Sequence, residues 1–221
     1  MENSKNLSNE KKGAKKKLIG LTGKYCAGKN HVALILEKRS IPVLDVDKLG
    51  HLVIERQKKR LLQRFGEDIL DAKGQIDRKE LGKRVFGRPI ELAALEEIIH
   101  PLVNEETLSW LDGREEEVCV VNAALLHRST AFGKLDAVIF VEAPFITRLL
   151  RARSRDRLPL ATLLKRLHSQ GEISPQFFRG KTDIYRVKNS VFSGFGETGK
   201  NPDKRLEERL NEILSFVCRE S

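Results

Sequence analysis

A chain of 221 residues with 40% hydrophobic content can build one α/β domain with an insertion, and is too short for more than two small domains. No run approaches the ~20 apolar residues that cross a bilayer, and no apolar segment follows the N-terminal lysines as in a secretory signal, so membrane and secreted classes are set aside. The net charge of +10 suits a polyanionic partner, whether nucleic acid, lipid head groups or a phosphorylated metabolite, and the three scattered cysteines read as free thiols of a reducing cytoplasm.

Residues 1–17 hold six lysines and two glutamates without periodicity and are expected to form a disordered tail, with the folded part over 18–221. Lys17 to Thr22 reads as a buried strand, followed by the glycine-bounded turn Gly23-Lys24-Tyr25-Cys26-Ala27-Gly28-Lys29 and a helix over about 29–39. That turn fits the phosphate-gripping pattern G-x-x-x-x-G-K, except that Asn30 stands where serine or threonine is usual. Glycines let consecutive N–H groups face one point, the helix start adds its positive end, and Lys29 adds a mobile full charge. Ile41 to Asp45 is the second predicted strand, ending in Asp45-Val46-Asp47.

A mainly helical stretch over 48–113 follows, with Leu92, Leu95, Ile98, Ile99, Leu102 and Val103 at helical spacing and Pro101 expected to kink or end a helix. Val118–Val121 and Ala137–Val141 are apolar without alternation, as in parallel strands covered on both faces. A basic helix carries Arg148, Arg151, Arg153, Arg155 and Arg157 against Asp156 alone, and a weak strand is placed at Ile184–Val187. The last helix opens at Asn201-Pro202 and carries Leu206, Leu210, Ile213, Leu214 and Val217 on one face. Strands alternating with helices predict a parallel α/β sheet of about five strands.

Ligands of open parallel sheets bind beyond the carboxyl ends of the strands, where the glycine loop and Asp45/Asp47 should converge. The loop can cradle a donor phosphate, a carboxylate can orient an acceptor hydroxyl, and the arginine helix can close over the phosphates as a lid. Each part also has a plainer reading: an aspartate after a strand is often a helix cap, and an arginine-rich helix is often a solvated face. Nucleic acid is the weaker partner, because no aromatic platform accompanies the charge; Phe177 and Phe178 read better as lid packing.

In this order the motifs resemble the dephospho-CoA kinase family from about Lys17 to Val217. The matching pieces begin with Leu21-Thr22-Gly23 and the loop to Lys29, Val43-Leu44-Asp45-Val46-Asp47, and Phe65-Gly66-Glu67-Asp68-Ile69-Leu70. They continue with Gly74-Gln75-Ile76-Asp77-Arg78, Leu81-Gly82, Val85-Phe86 and Leu95-Glu96-Glu97-Ile98-Ile99-His100-Pro101, and end with Leu125-Leu126, Arg151/Arg155 and Arg166 to Gln170. The block from Ile76 to Pro101 discriminates, since other small P-loop kinases share only the glycine loop.

The resemblance implies a P-loop NTPase-type sheet core over 18–47 and 115–221, a helical substrate-binding insertion over 48–114 and a lid over 148–180 within the core. It implies transfer of the γ-phosphoryl group of ATP to the 3′-hydroxyl of dephospho-CoA with Mg²⁺, the last step of coenzyme A synthesis, in a cytoplasmic enzyme; no oligomeric state is implied. By position, Asp47 would be the acceptor-side base, Lys29 the phosphate clamp and Arg155 the lid charge. ATP would lie against Gly23, Lys24, Tyr25, Cys26, Ala27, Gly28, Lys29, Asn30 and His31, with Arg151. Asp45, Arg78, His100 and Pro101 would belong to the acceptor side, with a cap, a surface ion pair and a helix break as their plainer readings.

Three positions depart from the family pattern. Asn30 replaces the hydroxyl residue that touches Mg²⁺, although an amide oxygen is also a hard ligand. Arg128, in Ala124-Leu125-Leu126-His127-Arg128, replaces an acid beside the expected acceptor cleft. Cys26 faces a helix start, which can lower a thiol's pKa, or simply fills a serine's space. A kinase for another nucleoside or metabolite hydroxyl and an inactive ATP-binding protein remain the alternatives.

Overall fold

A computed structural model of the chain describes residues 16–124, 126, 133–169, 182–189 and 202–219. Leu125, His127, Arg128, Gln170, Phe177, Phe178, Asn201, the tail up to residue 15 and the lid beyond residue 169 lie outside the described residues.

Five parallel strands form one sheet: β1 (Lys17–Gly23), β2 (Val43–Asp45), β3 (Val118–Asn122), β4 (Ala137–Glu142) and β5 (Asp183–Lys188), in the order β2-β3-β1-β4-β5. The period of two sends alternate side chains of the same strand to opposite faces. Ile19, Leu21, Ile139 and Val141 pack with helices α1 (Lys29–Glu37) and α8 (Pro202–Arg219). Leu18, Cys119, Val121, Val138 and Phe140 pack on the other face with Leu126 and with Leu111 of helix α5 (Pro89–Asp112). Burial on both faces explains the unbroken apolar runs of β1, β3 and β4.

The second strand is shorter than predicted. The Ile41 N–H closes the end of α1 on Leu36 O (3.2 Å), and Pro42 has no N–H, so only its carbonyl reaches the ladder, from Val120 N at 2.9 Å. At the other end of the sequence pattern, Lys17 is the first residue of β1 and is 7% exposed, while Lys16 Nζ donates to Leu111 O at 2.9 Å. Lys17 was read as the strand's first residue as well as the tail's last, and the strand reading holds; Lys16 was read as tail alone, and its hydrogen bond draws it into the fold.

The helical stretch resolves into α2 (Val46–Arg56), α3 (Lys58–Phe65), a 3-10 turn (Glu67–Ile69), α4 (Arg78–Val85) and α5. These share a core of their own, including Leu49, Val53, Leu61, Ile69, Leu81 and Ile99. Helix α5 does not end at Pro101 but runs through it. Proline removes one helical hydrogen bond there. Burial of Ile99 before it and Val103 after it holds the helix together regardless. Beyond β4, α6 (Phe145–Asp156) ends where Arg157 turns left-handed (φ 50°), and α7 (Leu160–Ser169) packs back on it. No described helix is long and apolar enough to cross a membrane.

Candidate active site

β1 delivers the chain to Gly23 at the carboxyl edge of the sheet, where a Cβ would meet Val141 O at 2.5 Å. The loop then tightens through Ala27 N to Lys24 O (2.9 Å), and Gly28 caps α1 in the left-handed region at φ 94°. Gly28 brings no capping side chain, and the first turn of α1 contains no acidic residue. The free N–H groups of a helix start are therefore left to an outside anion.

This loop forms one wall of a cavity of about 830 Å³. Lys29, Asn30 and Asp47 line it together with Ala124, and α6 supplies the facing wall through Leu150, Arg151, Ser154 and Arg155. Lys29 Nζ lies 2.7 Å from Asp47 Oδ2, while Asp47 Oδ1 accepts from Ala124 N at 3.2 Å. The carboxylate is thus fixed by a backbone N–H on one oxygen and a mobile ammonium on the other. Asn122, at the end of β3 and 1% exposed, donates through Nδ2 to Asn30 Oδ1 at 3.4 Å, and its own buried Oδ1 has no partner among the described residues.

Two arginines of α6 differ in what they hold. Arg151 Nη1 donates to Cys26 O (3.3 Å) and Ala27 O (3.0 Å), and its Nη2 to Asn189 O (3.3 Å) and Oδ1 (3.2 Å). It braces the back of the loop while also lining the cavity. Arg155 Nε instead donates to Asp156 Oδ1 at 2.7 Å, and its guanidinium lies 4.9 Å from the Tyr25 ring centre.

The remaining expected residues sit elsewhere. Asp45 caps α2, accepting from Lys48 N at 3.1 Å, and does not line the cavity. Arg78 Nη1 lies 2.8 Å from His51 Nδ1, which must be the acceptor because a guanidinium has none. Partial desolvation, followed by Arg78, holds the His51 imidazole below its ordinary pKa against the pull of Asp47 and Asp45. His100 and Pro101 lie in α5 outside the cavity lining. His31 turns away to Asp203 of α8 (2.9 Å), and Ala27 is fully buried. The Cys26 thiol is pushed up by burial, which outweighs the attraction of Arg155, Arg151 and Arg148. Of the two readings offered for Cys26, lowering by the helix start is not the one found.

Asn122, Asn189 and His51 were not singled out from the sequence, and Ala124 and Asp156 were named there without a role in the site. Asn122 and Asn189 immediately end or follow strands, so the strand-end rule that selected Asp45 and Asp47 points to them as well.

A family model described as dephospho-CoA kinase matches residues 17–185. The dephospho-CoA kinase of Helicobacter pylori is 32% identical over 203 residues, covering 90% of this chain and 98% of that protein. That of Treponema denticola is 31% identical, covering 78% and 82%. Among solved structures, the Thermus thermophilus protein TT1252 superposes with a TM-score of 0.74 at 29% identity, covering 91% of this chain and 98% of that one. The Campylobacter jejuni dephospho-CoA kinase, at 22% identity and a TM-score of 0.57, covers 91% and 97% and shares the fold. With a glycine loop, a lysine–aspartate pair and an arginine helix gathered on one cavity, and a family match spanning most of its length, this chain belongs to the dephospho-CoA kinase family.

Proposed function

We infer that the chain transfers the γ-phosphoryl group of ATP to the 3′-hydroxyl of dephospho-CoA. The observation that carries this reading is the Lys29–Asp47 contact at the mouth of the loop, beside the arginines of α6. ATP phosphates at the loop give Lys29 new partners, and its ammonium exchanges Asp47 for their oxygens. That frees Asp47 Oδ2 to orient the acceptor hydroxyl and take its proton, with Oδ1 still held by Ala124 N–H. Arg155 supplies positive charge to the transferring group, and closure of α6 over the phosphates would keep water from competing as an acceptor. We assign Arg78, which is tied to His51 of α2 from α4, to the acceptor side.

Mg²⁺ is proposed as the accompanying ion. It prefers oxygen ligands, keeps several waters and needs few protein groups, so the absence of a cluster of three or more acidic, His or Cys side chains among the described residues does not oppose it. The donors present are hard oxygens: Asn30 Oδ1, the Asp47 carboxylate and the buried Asn122 Oδ1, which has no partner among the described residues. When bound, the ion would neutralise charge on the β- and γ-phosphates. Replacing Asn30 with serine is expected to keep or raise turnover at low Mg²⁺; a strong loss in a Mg²⁺ titration would make the asparagine a required ligand or a prop for Asn122.

Among the described residues Cys26, Cys119 and Cys218 form no disulfide, which suits the reducing cytoplasm we propose as its location. The direct test is a coupled assay of ADP release. Release that requires dephospho-CoA is the expected result. Transfer to another alcohol but not to dephospho-CoA would overturn the acceptor assignment, and ATP binding without product under Mg²⁺ or Mn²⁺ would make the chain a non-catalytic binder.

A further inference from the structure

We propose that Tyr25 is a positioning residue for Arg155, coupling the phosphate loop to the arginine helix through both faces of its chemistry. The proposal rests on the reading of Arg155 as the charge that meets the transferring phosphoryl group.

An arginine side chain on a helix surface has many rotamers, and fixing one costs conformational entropy unless neighbours already hold it. Arg155 has a side chain 60% exposed, so packing does not hold it. Two other contacts do. Its Nε and Nη2 donate to the Asp156 carboxylate, at 2.7 and 3.3 Å, and its guanidinium carbon lies 4.9 Å from the centre of the Tyr25 ring.

Asp156 needs fixing too, since a carboxylate adjacent in sequence can swing away with its own rotamer. Its side chain is only 16% exposed. The Tyr25 hydroxyl donates to its Oδ2, and Arg166 Nη1, returning on α7, lies 3.6 Å from the same oxygen. One residue of the loop therefore supplies a π face beneath the guanidinium and an O–H that anchors its carboxylate partner. These contacts occupy the Nε edge of Arg155, and among the described residues none of its hydrogen bonds uses Nη1. That end is left for phosphate oxygens.

Tyr25 is itself part of the cavity wall, so loop and lid are set in register by the same side chain. Cation–π attraction and charge-assisted hydrogen bonding have the strength this requires: each is worth a several-fold change in a rate when removed.

The test is a double-mutant cycle with steady-state kinetics on ATP at saturating dephospho-CoA. Tyr25→Phe keeps the ring and deletes the O–H; Tyr25→Leu deletes both. In the native background, kcat should fall about 3- to 10-fold for Tyr25→Phe and about 10- to 50-fold for Tyr25→Leu, with KM for ATP changing far less. In an Arg155→Ala background both substitutions should be silent to within about twofold, as expected when two residues act as one unit.

Equal losses in both backgrounds would overturn the proposal, because Tyr25 would then be shaping the loop alone. So would native kcat in both tyrosine variants beside a crippled Arg155→Ala, an outcome that leaves the phosphoryl-transfer reading standing. Native turnover in Arg155→Ala, or a native chain without turnover on dephospho-CoA, would remove the underlying reading and the proposal with it. Should Tyr25→Leu not fold, the Tyr25→Phe pair decides.

Discussion

Asp47→Asn is expected to lower turnover by about 10²- to 10⁴-fold, the usual weight of a positioned general base. The substitution is nearly isosteric, and an amide oxygen can keep the bond from Ala124 N now made at 3.2 Å. What disappears is the charge opposite Lys29, 2.7 Å away, and the capacity to accept a proton. ATP affinity should be held or improved by up to about fivefold, because breaking a partly exposed ion pair costs at most about 1 kcal/mol, and the variant no longer has one to break. Calorimetric titration with ATP and rapid-quench single turnover separate the two effects. Unchanged single turnover would take Asp47 out of the chemistry and leave it as a parking place for the lysine.

The second large effect is expected at the loop itself. Gly28→Ala forces an L residue into φ 94° and puts a Cβ 2.1 Å from Asn189 Nδ2 and 3.3 Å from Arg151 Nη1. Asn189 cannot step aside cheaply. It is 1% exposed, its N–H is bound to Glu142 O at 2.7 Å, and its side-chain oxygen holds Arg151. Displacing it loosens Arg151, which in turn braces the carbonyls of Cys26 and Ala27.

Left-handed strain and overpacking together cost about 2–4 kcal/mol, a fall in melting temperature of about 5–10 °C for a chain of this size. ATP affinity should drop by at least about 10²-fold as the loop N–H groups lose alignment. Gly50→Ala is the control. It lies inside α2 with nothing within 4 Å of an added Cβ, so it should stabilise slightly. A Gly28→Ala protein that melts normally and binds ATP normally would show that this loop does not hold the nucleotide.

Local patterns made much of this legible. The apolar run Leu18 to Leu21, the glycines and the following helical spacing are contiguous, so strand, loop and helix could be read from one stretch. The role of Arg151 was not legible. A sequence shows a cation at that position but not the four acceptors that absorb it, three of which are backbone carbonyls from distant segments. Asp45 and Asp47 illustrate the same limit at short range. Asp45 ends β2 and Asp47 lies in the first turn of α2, yet the first accepts from Lys48 N as a cap and the second pairs with Lys29 of the loop.

Strand order lay beyond the sequence as well, since β1 pairs with β3 and β4 through connections of about a hundred residues whose register no local pattern encodes. At Pro101 the local rule offered a break or a kink, and the break is excluded: the helix runs through the proline, with Ile99 and Val103 buried on either side.

The outer strands carry one more implication. β2 contributes three residues, and β5 is an edge carrying Asp183, Arg186 and Lys188, with Arg186 drawn to Glu142 at 2.7 Å. A rim so brief on one side and so charged on the other is a poor template for a second chain to zip onto. Concentrated solutions of this protein should accordingly resist fibril growth seeded from the sheet margins.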